Sequence, residues 1–516
     1  MGNISSRTWF DLLVEIEKDY PDRPCLIFKD GKHTYSEIRQ RSQALGESLK
    51  ERGVKPGDRV GIWAPNQCEW LEVLFATSYL GVPLVPFSTW STKSELSFLI
   101  DDSKVSWIFS VSNFGGRDFL KDLNEIQIQG LAPGKFQIIK IGGESEFSVS
   151  STLESKVPGR SAGQPNDVAT VLYTSGSSSR PKAVPLKHES IIENGFNIGE
   201  RLGLTNEDRV FVPVPLFWSY GSINALPAIF SHGACMVLQE LYEPGLALSL
   251  IEEEGCTAIY TLPAITNSLT SHSSFSQRAV STLRTGLTIG TPQDLKNAAE
   301  GLGVKSICNI YGSTETYGNC TVTPHDWPFE FRSKTQGIPL PGTRLRVRNP
   351  VSGEISKAGE VGSIEVSGHI IEGYYGESSR HNAKTFSEDG FFLTGDLGSV
   401  DEGGRLVFAG RSNEMIKRSG INVSPAEVEE IIQQDVQVAS VGVTGKPDNK
   451  VDEAIVAFVV PKNKFRFNKD ALVSHCKRFL SSYKIPDRVE LCDELPLTPT
   501  GKLMRRELKE WANKLL

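Results

Sequence analysis

Apolar residues recur at helical spacing in several parts of the chain. Near the N-terminus, Phe10, Leu13, Val14 and Ile16 fall on one face of a helix that we predict over residues 9–19. The same spacing predicts further helices over residues 70–79, 223–230 and 472–480. One-sided apolar faces of this kind are typical of helices that pack against a shared core.

Short, continuous apolar runs alternate with these helices. They predict buried strands over residues 59–63, 82–85, 168–172, 258–262, 307–310 and 454–460. Strands that alternate with helices build largely parallel sheets that carry helices on both faces. The pattern therefore predicts an α/β fold with doubly wound sheets. Residues 115–163 are richer in polar residues, Gly and Ser, and we expect them to form a surface excursion.

Length and composition narrow the class of protein. A chain of 516 residues is too long for one core, so two or more domains are expected. The net charge of −7 argues against nucleic acid as the main partner. Eight scattered cysteines, none at metal-binding spacing, indicate buried thiols in a cytoplasmic protein. We expect neither a transmembrane segment nor a secretory signal, because every long apolar stretch is interrupted.

The strand predicted over residues 168–172 leads into a loop suited to phosphate. Residues 173–184 are Tyr-Thr-Ser-Gly-Ser-Ser-Ser-Arg-Pro-Lys-Ala-Val. Small side chains let backbone N–H groups approach an anion, and Arg180 and Lys182 add positive charge. The spacing of a Walker A loop is absent. From these residues alone, a Ser-rich surface turn remains the alternative.

This stretch resembles the signature loop of the adenylate-forming superfamily, which includes acyl-CoA synthetases, adenylation domains of non-ribosomal peptide synthetases and beetle luciferase. The usual pattern is Tyr-Thr-Ser-Gly-Thr-Thr-Gly-x-Pro-Lys-Gly-Val, and Ser179 and Ala183 replace two of its glycines here. The resemblance implies that the phosphates of ATP are bound by Thr174, Ser175, Gly176, Ser177, Ser178 and Lys182.

A second stretch, Tyr-Gly-Ser-Thr-Glu-Thr at residues 311–316, matches the family pattern Tyr-Gly-x-Thr-Glu. The resemblance implies that the Tyr311 ring stacks on adenine and that Thr314 donates to a phosphate oxygen. Glu315 is expected to hold Mg²⁺, which prefers oxygen ligands and bridges phosphates. Gly290, in a turn similar to the family's Gly-Ala-Pro, is expected to line the nucleotide site.

Two motifs farther along complete the expected nucleotide site and begin the expected acceptor site. Residues 391–396 match a family motif whose aspartate, here Asp396, contacts ribose. Residues 410–420 match a second family motif, whose arginine, here Arg411, also contacts ribose. From composition alone, Asp396 would be a structural residue of a glycine turn. The family's domain hinge falls at Asn413, where Asp or Lys is common. The resemblance also assigns two residues to the acceptor thiol, Lys417 and Gly420.

Residues 496–505 match the family's terminal pattern Pro-x-Thr-x-x-Gly-Lys-x-x-Arg. By composition Lys502 is an exposed lysine in a turn, and by resemblance it is the catalytic lysine of adenylation. Together with Thr314 and Glu315 it forms the expected catalytic set. We expect a large N-terminal AMP-binding domain over residues 1–411 and a small, mobile α+β lid domain over residues 412–516.

The expected acid pocket follows a strand near residue 209. The aromatic residues Phe217, Trp218 and Tyr220 form one wall in the family, although Phe217 alone is equally explained by core packing. Gly221 is expected to leave room beside them, and Gly312 is expected to line the same pocket. Residues 210–228 contain no acid that could hold an α-ammonium group, which argues against an α-amino acid. A loose similarity to benzoate-type and anthranilate-type CoA ligases favours an aryl acid narrowly over a medium-chain acid.

The resemblance implies an ATP-dependent acid–thiol ligase. A carboxylate would attack the α-phosphorus of ATP, and the acyl-adenylate would then react with a thiol. CoA is the expected source of this thiol, in preference to a carrier-protein phosphopantetheine. Loading of a carrier protein or formation of an amide is the alternative within the family. Outside it, a serine hydrolase lacks support because Gly-x-Ser-x-Gly is absent, and a catalytically dead nucleotide-binding protein is the third possibility. A monomer or homodimer is expected.

Overall fold

The fold is taken from a computed structural model, which describes residues 7–128, 136–142, 159–174, 181–412, 414–418, 421–448, 451–480, 482–498 and 503–515. The α-helices of the described residues, in chain order from α1 to α14, are Trp9–Asp19, Tyr35–Glu51, Cys68–Leu80, Lys93–Ser103, Phe119–Ile128, His188–Leu202, Leu226–Phe230, Pro244–Glu253, Pro263–Ser271, Pro292–Lys296, Phe329–Lys334, Pro425–Gln433, Lys469–Phe479 and Arg505–Lys514.

The strands of the described residues, from β1 to β26, are Pro24–Phe28, Gly31–Thr34, Val60–Trp63, Leu84–Pro86, Trp107–Ser110, Asn113–Phe114, Arg117–Asp118, Gln137–Lys140, Val168–Thr174, Lys182–Lys187, Arg209–Val212, Cys235–Leu238, Ala258–Tyr260, Thr285–Thr288, Ser306–Tyr311, Thr321–Val322, Ile338–Pro339, Thr343–Arg348, Gly362–Gly368, Phe392–Val400, Leu406–Arg411, Ile416–Arg418, Ile421–Val423, Val438–Asp448, Asp452–Pro461 and Arg488–Leu491.

Two large sheets carry most of the N-terminal part of the chain. One has nine strands in the order β17-β16-β15-β14-β13-β11-β12-β1-β2, and the other has six in the order β10-β9-β4-β3-β5-β8. The central strands of both sheets run parallel, and antiparallel strands occur at the edges. The order is not sequential because helices connect the parallel strands. The predicted doubly wound α/β fold is confirmed.

Helix α1 shows how the sequence fixes one of these helices. Thr8 accepts a hydrogen bond from the backbone of Asp11, whose side chain accepts one back, so the first turn is capped on both sides. The predicted face is buried at Phe10, Leu13 and Ile16 but not fully at Val14. The predicted bounds of the helix are confirmed.

The expectation for residues 115–163 was wrong in part. Helix α5 lies inside this segment and buries Phe119, Leu123 and Ile126. Strand β8 follows and pairs in parallel with β5, with Ile138 beside Ile108, so it completes the edge of the six-stranded sheet. The apolar runs in this segment are short and separated by polar residues. The overall polar composition therefore gave no indication of the helix and the strand.

The chain divides into two compact units. The first is Met1–Leu345 with Val366–Phe392, and the second is Arg346–Glu365 with Leu393–Leu516. The expected boundary after residue 411 stays a prediction. In the second unit, the sheet β23-β22-β25-β24, with β26 on β25, packs helices α12 and α13 on one face through Val428, Leu472 and Ile455. This is the α+β arrangement expected for the C-terminal part.

Two further expectations concern membranes and cysteines. None of the helices in the described ranges has the length and apolar character needed to cross a membrane. All eight cysteines are free thiols, and seven are buried, the exception being Cys492, which is partly exposed. Burial raises the pKa of Cys235 to about 12 and that of Cys476 to about 11, so these thiols stay protonated. The prediction of buried thiols is confirmed.

Candidate active site

The expected phosphate loop joins two strands that pair with each other. Strands β9 and β10 are antiparallel, and Thr174 lies opposite Lys182. The pairing fixes both ends of the loop between them. Ser179 lies outside the described residues, but Ala183, which replaces the family glycine, is a buried strand residue opposite Tyr173. An extended strand does not need the backbone freedom of glycine, so alanine is accommodated here.

Asp102, at the end of α4, holds two segments beside this hairpin. Its carboxylate accepts from the Tyr173 hydroxyl at 2.7 Å and from the backbone N–H of Glu377 at 2.7 Å. Burial and the neighbouring carboxylate raise the pKa of Tyr173, so the phenol remains a donor. Asp102 therefore ties the first residue of the signature stretch to the segment near residue 377.

The segment before residue 377 also reaches the second motif. The Tyr374 hydroxyl donates to Glu315 Oε1 at 2.9 Å, and the Lys182 ammonium lies 4.7 Å from the centre of the Tyr374 ring. Tyr375 bridges to Ala183, and the Ala183 N–H donates to Ser378 Oγ at 3.0 Å. Thus Lys182 and Glu315, which the sequence assigned to one site, contact the same tyrosine.

The second motif follows β15, which ends at the largely buried Tyr311. Thr314–Thr316 form a short 3-10 turn, and Thr314 Oγ1 donates to Ser219 Oγ at 3.1 Å. Gly312 is required by close packing, because a Cβ there would lie 2.5 Å from the Gly318 carbonyl oxygen. The hydrogen bond from Thr314 places the phosphate motif against the expected acid wall.

The aromatic wall contains one residue that sequence reasoning missed. Trp90, 39% exposed, lies 5.1 Å from Phe217 and 5.0 Å from Trp218 between ring centres, both edge to face. Phe217 is 8% exposed and Trp218 is partly exposed. The signal available in the sequence was weak: Trp90 lies four residues after β4 ends, in the loop at the carboxyl end of a parallel strand.

Tyr220 and Gly221 play a more structural part than expected. The Tyr220 hydroxyl lies 3.1 Å from the Thr261 carbonyl oxygen and 3.0 Å from that of Leu287, so it anchors the wall to β13 and β14. Burial raises the pKa of Tyr220. A Cβ on Gly221 would lie 2.5 Å from the Pro215 carbonyl oxygen, so close packing requires glycine here, and the expectation that Gly221 leaves room in the acid pocket stays a prediction.

Helix geometry in this wall also differs from the prediction. Residues Tyr220–Ala225 form a π-helix, and only Leu226–Phe230 continues as α-helix. Apolar spacing cannot distinguish the two here, because residues 221–230 are all buried and show no one-sided pattern. π-Helical turns occur often at functional sites.

Gly290 lies at the start of a helix rather than in an open loop. Thr291 caps α10 by accepting from the backbone of Asp294, and a Cβ on Gly290 would lie 2.6 Å from Asp294 Cβ. Glycine is therefore needed for packing against Asp294. Its expected contact with nucleotide stays a prediction.

In the second unit, the two expected ribose-binding residues lie opposite each other. Asp396 on β20 pairs with Arg411 on β21, and Arg411 Nε lies 3.6 Å from Asp396 Oδ1. The Ser412 hydroxyl donates to the Gly395 carbonyl at 2.8 Å and closes the end of this strand pair. The arrangement brings an acceptor and a cation together on one sheet edge.

The terminal motif is anchored on both sides of Lys502. Leu497 bridges to Leu503, and Arg505 forms ion pairs with Glu414 and Glu429, each at 2.8 Å. These carboxylates raise the pKa of Arg505. The side chain of Lys417, expected at the thiol site, is exposed, and its backbone N–H donates to Glu453 Oε2 at 2.8 Å.

Several expected site residues fall outside the described residues, and their roles stay predictions. They are Ser175, Gly176, Ser177, Ser178, Asn413, Gly420 and Lys502.

Glu315 is the residue expected to hold a Mg²⁺ ion, and this role stays a prediction. Across the described ranges, no three His, Cys, Asp or Glu side chains cluster as a metal site would need. A carboxylate with a neighbouring hydroxyl suits Mg²⁺, which keeps several waters and takes its other ligands from phosphates.

Comparison with protein families places this geometry in context. The family model described as AMP-binding enzyme matches residues 14–375, and the model for the AMP-binding enzyme C-terminal domain matches residues 427–502. The chain belongs to the AMP-binding enzyme family. The resemblance proposed from the motifs is confirmed, and so is the presence of a separate C-terminal domain type.

Relatives of this family member cover nearly its whole length. A putative acyl-CoA synthetase, YngI, from Bacillus subtilis is 31% identical over 99% of this chain and 98% of its own. The mitochondrial medium-chain acyl-CoA ligase ACSF2 of Danio rerio is 25% identical over 99% and 89%. The solved anthranilate CoA ligase AuaEII, in complex with anthranoyl-AMP, is 26% identical with a TM-score of 0.87, covering 98% of both chains.

These relatives confirm the expected class of enzyme, an acid–thiol ligase of the AMP-forming acyl-CoA synthetase type. They decide against the serine hydrolase considered from the sequence. Three residues of the site were missed by sequence reasoning, namely Trp90, Asp102 and Tyr374. Trp90 carried only the weak signal of its position after β4, and Tyr374 lies in a glycine-flanked aromatic pair, Gly-Tyr-Tyr-Gly, whereas Asp102 carried no local signal.

Proposed function

We propose that this enzyme converts a carboxylic acid and ATP to an acyl-adenylate and pyrophosphate, and then transfers the acyl group to the thiol of CoA. The observation that carries the proposal is the hydrogen bond from Thr314 to Ser219 at 3.1 Å. It joins the residues expected to bind phosphate to the aromatic wall expected to bind the acid. An acyl-phosphate bond forms where two such sites meet.

In the first step, a carboxylate oxygen attacks the α-phosphorus, and the bond to pyrophosphate breaks. Negative charge on the phosphate oxygens must be stabilised as this happens. The Thr314 hydroxyl, whose single proton goes to Ser219 in this structure, turns to donate it to one of these oxygens when ATP binds. Lys502 supplies positive charge, and Lys182 with the loop Thr174–Lys182 holds the departing pyrophosphate. No protein nucleophile is needed, because positioning and electrostatics are sufficient.

Mg²⁺ would be held by Glu315, whose carboxylate is oriented by Tyr374. When bound, the ion neutralises phosphate charge and fixes the geometry of the displacement. Glu315 would thereby present one oxygen to the ion while the tyrosine occupies another. The remaining ligands would come from phosphate and water.

The second step uses the C-terminal unit. We propose that it rotates about Asn413 after the adenylate forms and presents Lys417 and Gly420 to the incoming thiol. The thiol loses its proton and attacks the acyl carbonyl, and AMP leaves. Asp396 and Arg411 would retain the ribose through both steps, with Asp396 accepting from the hydroxyls.

The acid is proposed to be an aryl or a medium-chain acid. The edge-to-face cluster of Trp90, Phe217 and Trp218 supports a flat or slim apolar body. Two relatives point to the same pair of classes, since one is named for medium-chain acids and one is an anthranilate ligase. Activity in the cytoplasm as a monomer or homodimer stays a prediction.

The test is carboxylate-dependent exchange of pyrophosphate into ATP over benzoate-like, short-chain and medium-chain acids. The best acid is then offered with CoA, with a phosphopantetheinylated carrier protein, or with an amine. We expect exchange with at least one acid and product with CoA. Exchange without any CoA thioester would favour the carrier-protein or amide alternative, and no exchange with any acid would refute the proposed function.

A further inference from the structure

Three buried asparagines surround one short segment of the first unit. Asn194 on α6, Asn224 in the π-helix and Asn319 after the second motif have no exposed surface. Both amide atoms of Asn224, both of Asn319 and the Oδ1 of Asn194 lack a hydrogen-bond partner among the described residues. An unpartnered buried polar group costs about 1–3 kcal/mol, so five such atoms together call for an explanation.

Contacts from two of these asparagines, Asn194 and Asn224, meet at Gly318, and Asn319 directly follows it in the chain. Asn194 Nδ2 donates to the Tyr317 carbonyl at 2.9 Å and to the Asn319 carbonyl at 2.8 Å, so it brackets this glycine. A Cβ built on Gly318 would lie 3.4 Å from Asn224 Cβ and 3.6 Å from Asn224 Nδ2. Gly318 itself is partly exposed, with φ of +90°, a backbone conformation that disfavours a side chain.

This polar cluster adjoins the proposed acid site on two sides. Asn224 lies in the π-helix that begins at Tyr220, directly after Phe217 and Trp218. Asn319 lies three residues after Thr316, at the end of the second motif. The hydrogen bond from Thr314 to Ser219 already joins these two chain segments. π-Helical turns occur often at functional sites, and this one carries an amide whose donor and acceptor are both unused among the described residues.

We propose that Asn224 and Asn319 bind a neutral hydrogen-bonding group of the acid, at the end remote from its carboxylate. This inference rests on the proposed function and narrows its substrate class. A carboxamide presents one acceptor and a donor group without net charge, so it matches a hydroxyl, ketone or amide better than an ammonium or a second carboxylate. The acid would thus be an aryl or medium-chain acid with a polar distal group, such as a phenol or an ω-hydroxyl.

The experiment compares matched pairs of acids that differ only in that group. The pairs are benzoate with 3- and 4-hydroxybenzoate, phenylpropanoate with 4-hydroxyphenylpropanoate, and octanoate with 8-hydroxyoctanoate. Pyrophosphate release gives kcat/KM for each acid. We expect the wild-type enzyme to prefer the hydroxylated member of at least one pair by tenfold or more, because unfilled amides penalise the analogue.

Asn224→Leu, which has a similar volume, should lower kcat/KM for the preferred hydroxy acid by at least tenfold. It should leave its unsubstituted partner unchanged or improved. Since the Asn224 side-chain amide forms no hydrogen bond with the described residues, the Tm should hold or rise. The control is Asn66→Leu. The Asn66 amide donates to the Val214 and Gln239 carbonyls and accepts from the Leu216 N–H, so its loss should lower the Tm. It should not change the ratio of kcat/KM between the hydroxylated acid and its unsubstituted partner.

Two outcomes would overturn the inference while leaving the proposed function intact. In the first, the enzyme activates acids but does not prefer the hydroxylated member of any pair, and Asn224→Leu does not change the ratio of kcat/KM within the pairs. The other is a fall in Tm for Asn224→Leu as large as that for Asn66→Leu, which would show that ordered water satisfies the amide for structural purposes. Failure to activate any acid would instead refute the proposed function itself.

Discussion

The hydroxyl of Tyr374 donates to Glu315 Oε1 across 2.9 Å, although the two residues are 59 positions apart in the chain. The same ring lies under the Lys182 ammonium. Burial and the Glu315 carboxylate raise the pKa of Tyr374, so the phenol remains protonated at neutral pH. One neutral side chain therefore orients a carboxylate and steadies a cation that belong to different motifs.

Tyr374→Phe should weaken the response to Mg²⁺. Without the hydroxyl, Glu315 loses its orienting donor, and we expect the Mg²⁺ concentration for half-maximal adenylation to rise about 10–100-fold, as is typical when a metal ligand loses the hydrogen bond that orients it. Tyr375→Phe removes a neighbouring hydroxyl and is the matched control. A Mg²⁺ titration of pyrophosphate release measures both variants, and equal responses would contradict an orienting role for Tyr374.

Lys502→Ala should abolish adenylation with little effect on the fold. Removal of a group aimed at transition-state charge typically costs about 10²–10³ in rate. Transfer from preformed acyl-adenylate to CoA should change much less. The two half-reactions are measured separately, with Lys514→Ala, an exposed lysine on α14, as the control. An equal fall in both half-reactions would show that Lys502 is not specific to the first.

Trp218→Ala should change which acids are used. Its ring packs edge to face on Trp90, and its loss would remove about 0.5–1.5 kcal/mol of ring contact while lengthening the space for an alkyl chain. Each added buried methylene would then contribute about 0.8 kcal/mol. We expect weaker use of small ring acids and better use of longer chains in a C4–C14 series.

The control for this change is Trp511→Ala, which removes a ring that packs on Phe458 in the C-terminal unit. It should lower stability without altering the acid profile. If Trp218→Ala also leaves the profile unchanged, Trp218 belongs to the core and the preference for aryl acids loses its support.

His188 should make the fold sensitive to acid. It is buried, its Nδ1 accepts from the Trp9 backbone N–H at 3.2 Å, and burial lowers its pKa to about 3. The unfolded chain binds a proton near pH 6.5, so the stabilisation is present above pH 6.5 and is lost as the pH falls towards 3. The slope from this one group is at most about 1.4 kcal/mol per pH unit.

His188→Asn keeps an acceptor near the Trp9 N–H but does not titrate. Its Tm should fall less steeply than that of the wild type between pH 7 and pH 5. His381→Asn, at a partly exposed position, should retain the wild-type slope. Parallel slopes for wild type and His188→Asn would show that His188 does not govern the acid sensitivity.

The sequence predicted the features that depend on local pattern. Apolar runs located strands such as β3 and β15, and the motifs located Thr314, Glu315, Asp396 and Arg411. It could not predict partners that lie far away in the chain. Asp102 reaches the N–H of Glu377 across 275 positions, and nothing near either residue signals the contact.

The errors have a common physical origin. The π-helical turn at Tyr220 depends on how the wall packs, which apolar spacing does not encode. Strand β8 is a short edge strand in a polar region. It forms because it pairs with β5, although the strand propensity of its own residues is weak. Local pattern thus fixed the type of most elements, while tertiary packing fixed their irregularities.

Ala183 shows how this chain differs from its family's usual pattern in energetic terms. Its methyl group is buried in β10, where glycine is common in the family. Relative to glycine, alanine restricts the unfolded chain, so the same native strand is reached from fewer denatured conformations, a gain of about 0.4–1 kcal/mol. Part of the stability of β10, the strand after the phosphate loop, therefore comes from the lower conformational entropy of the unfolded chain.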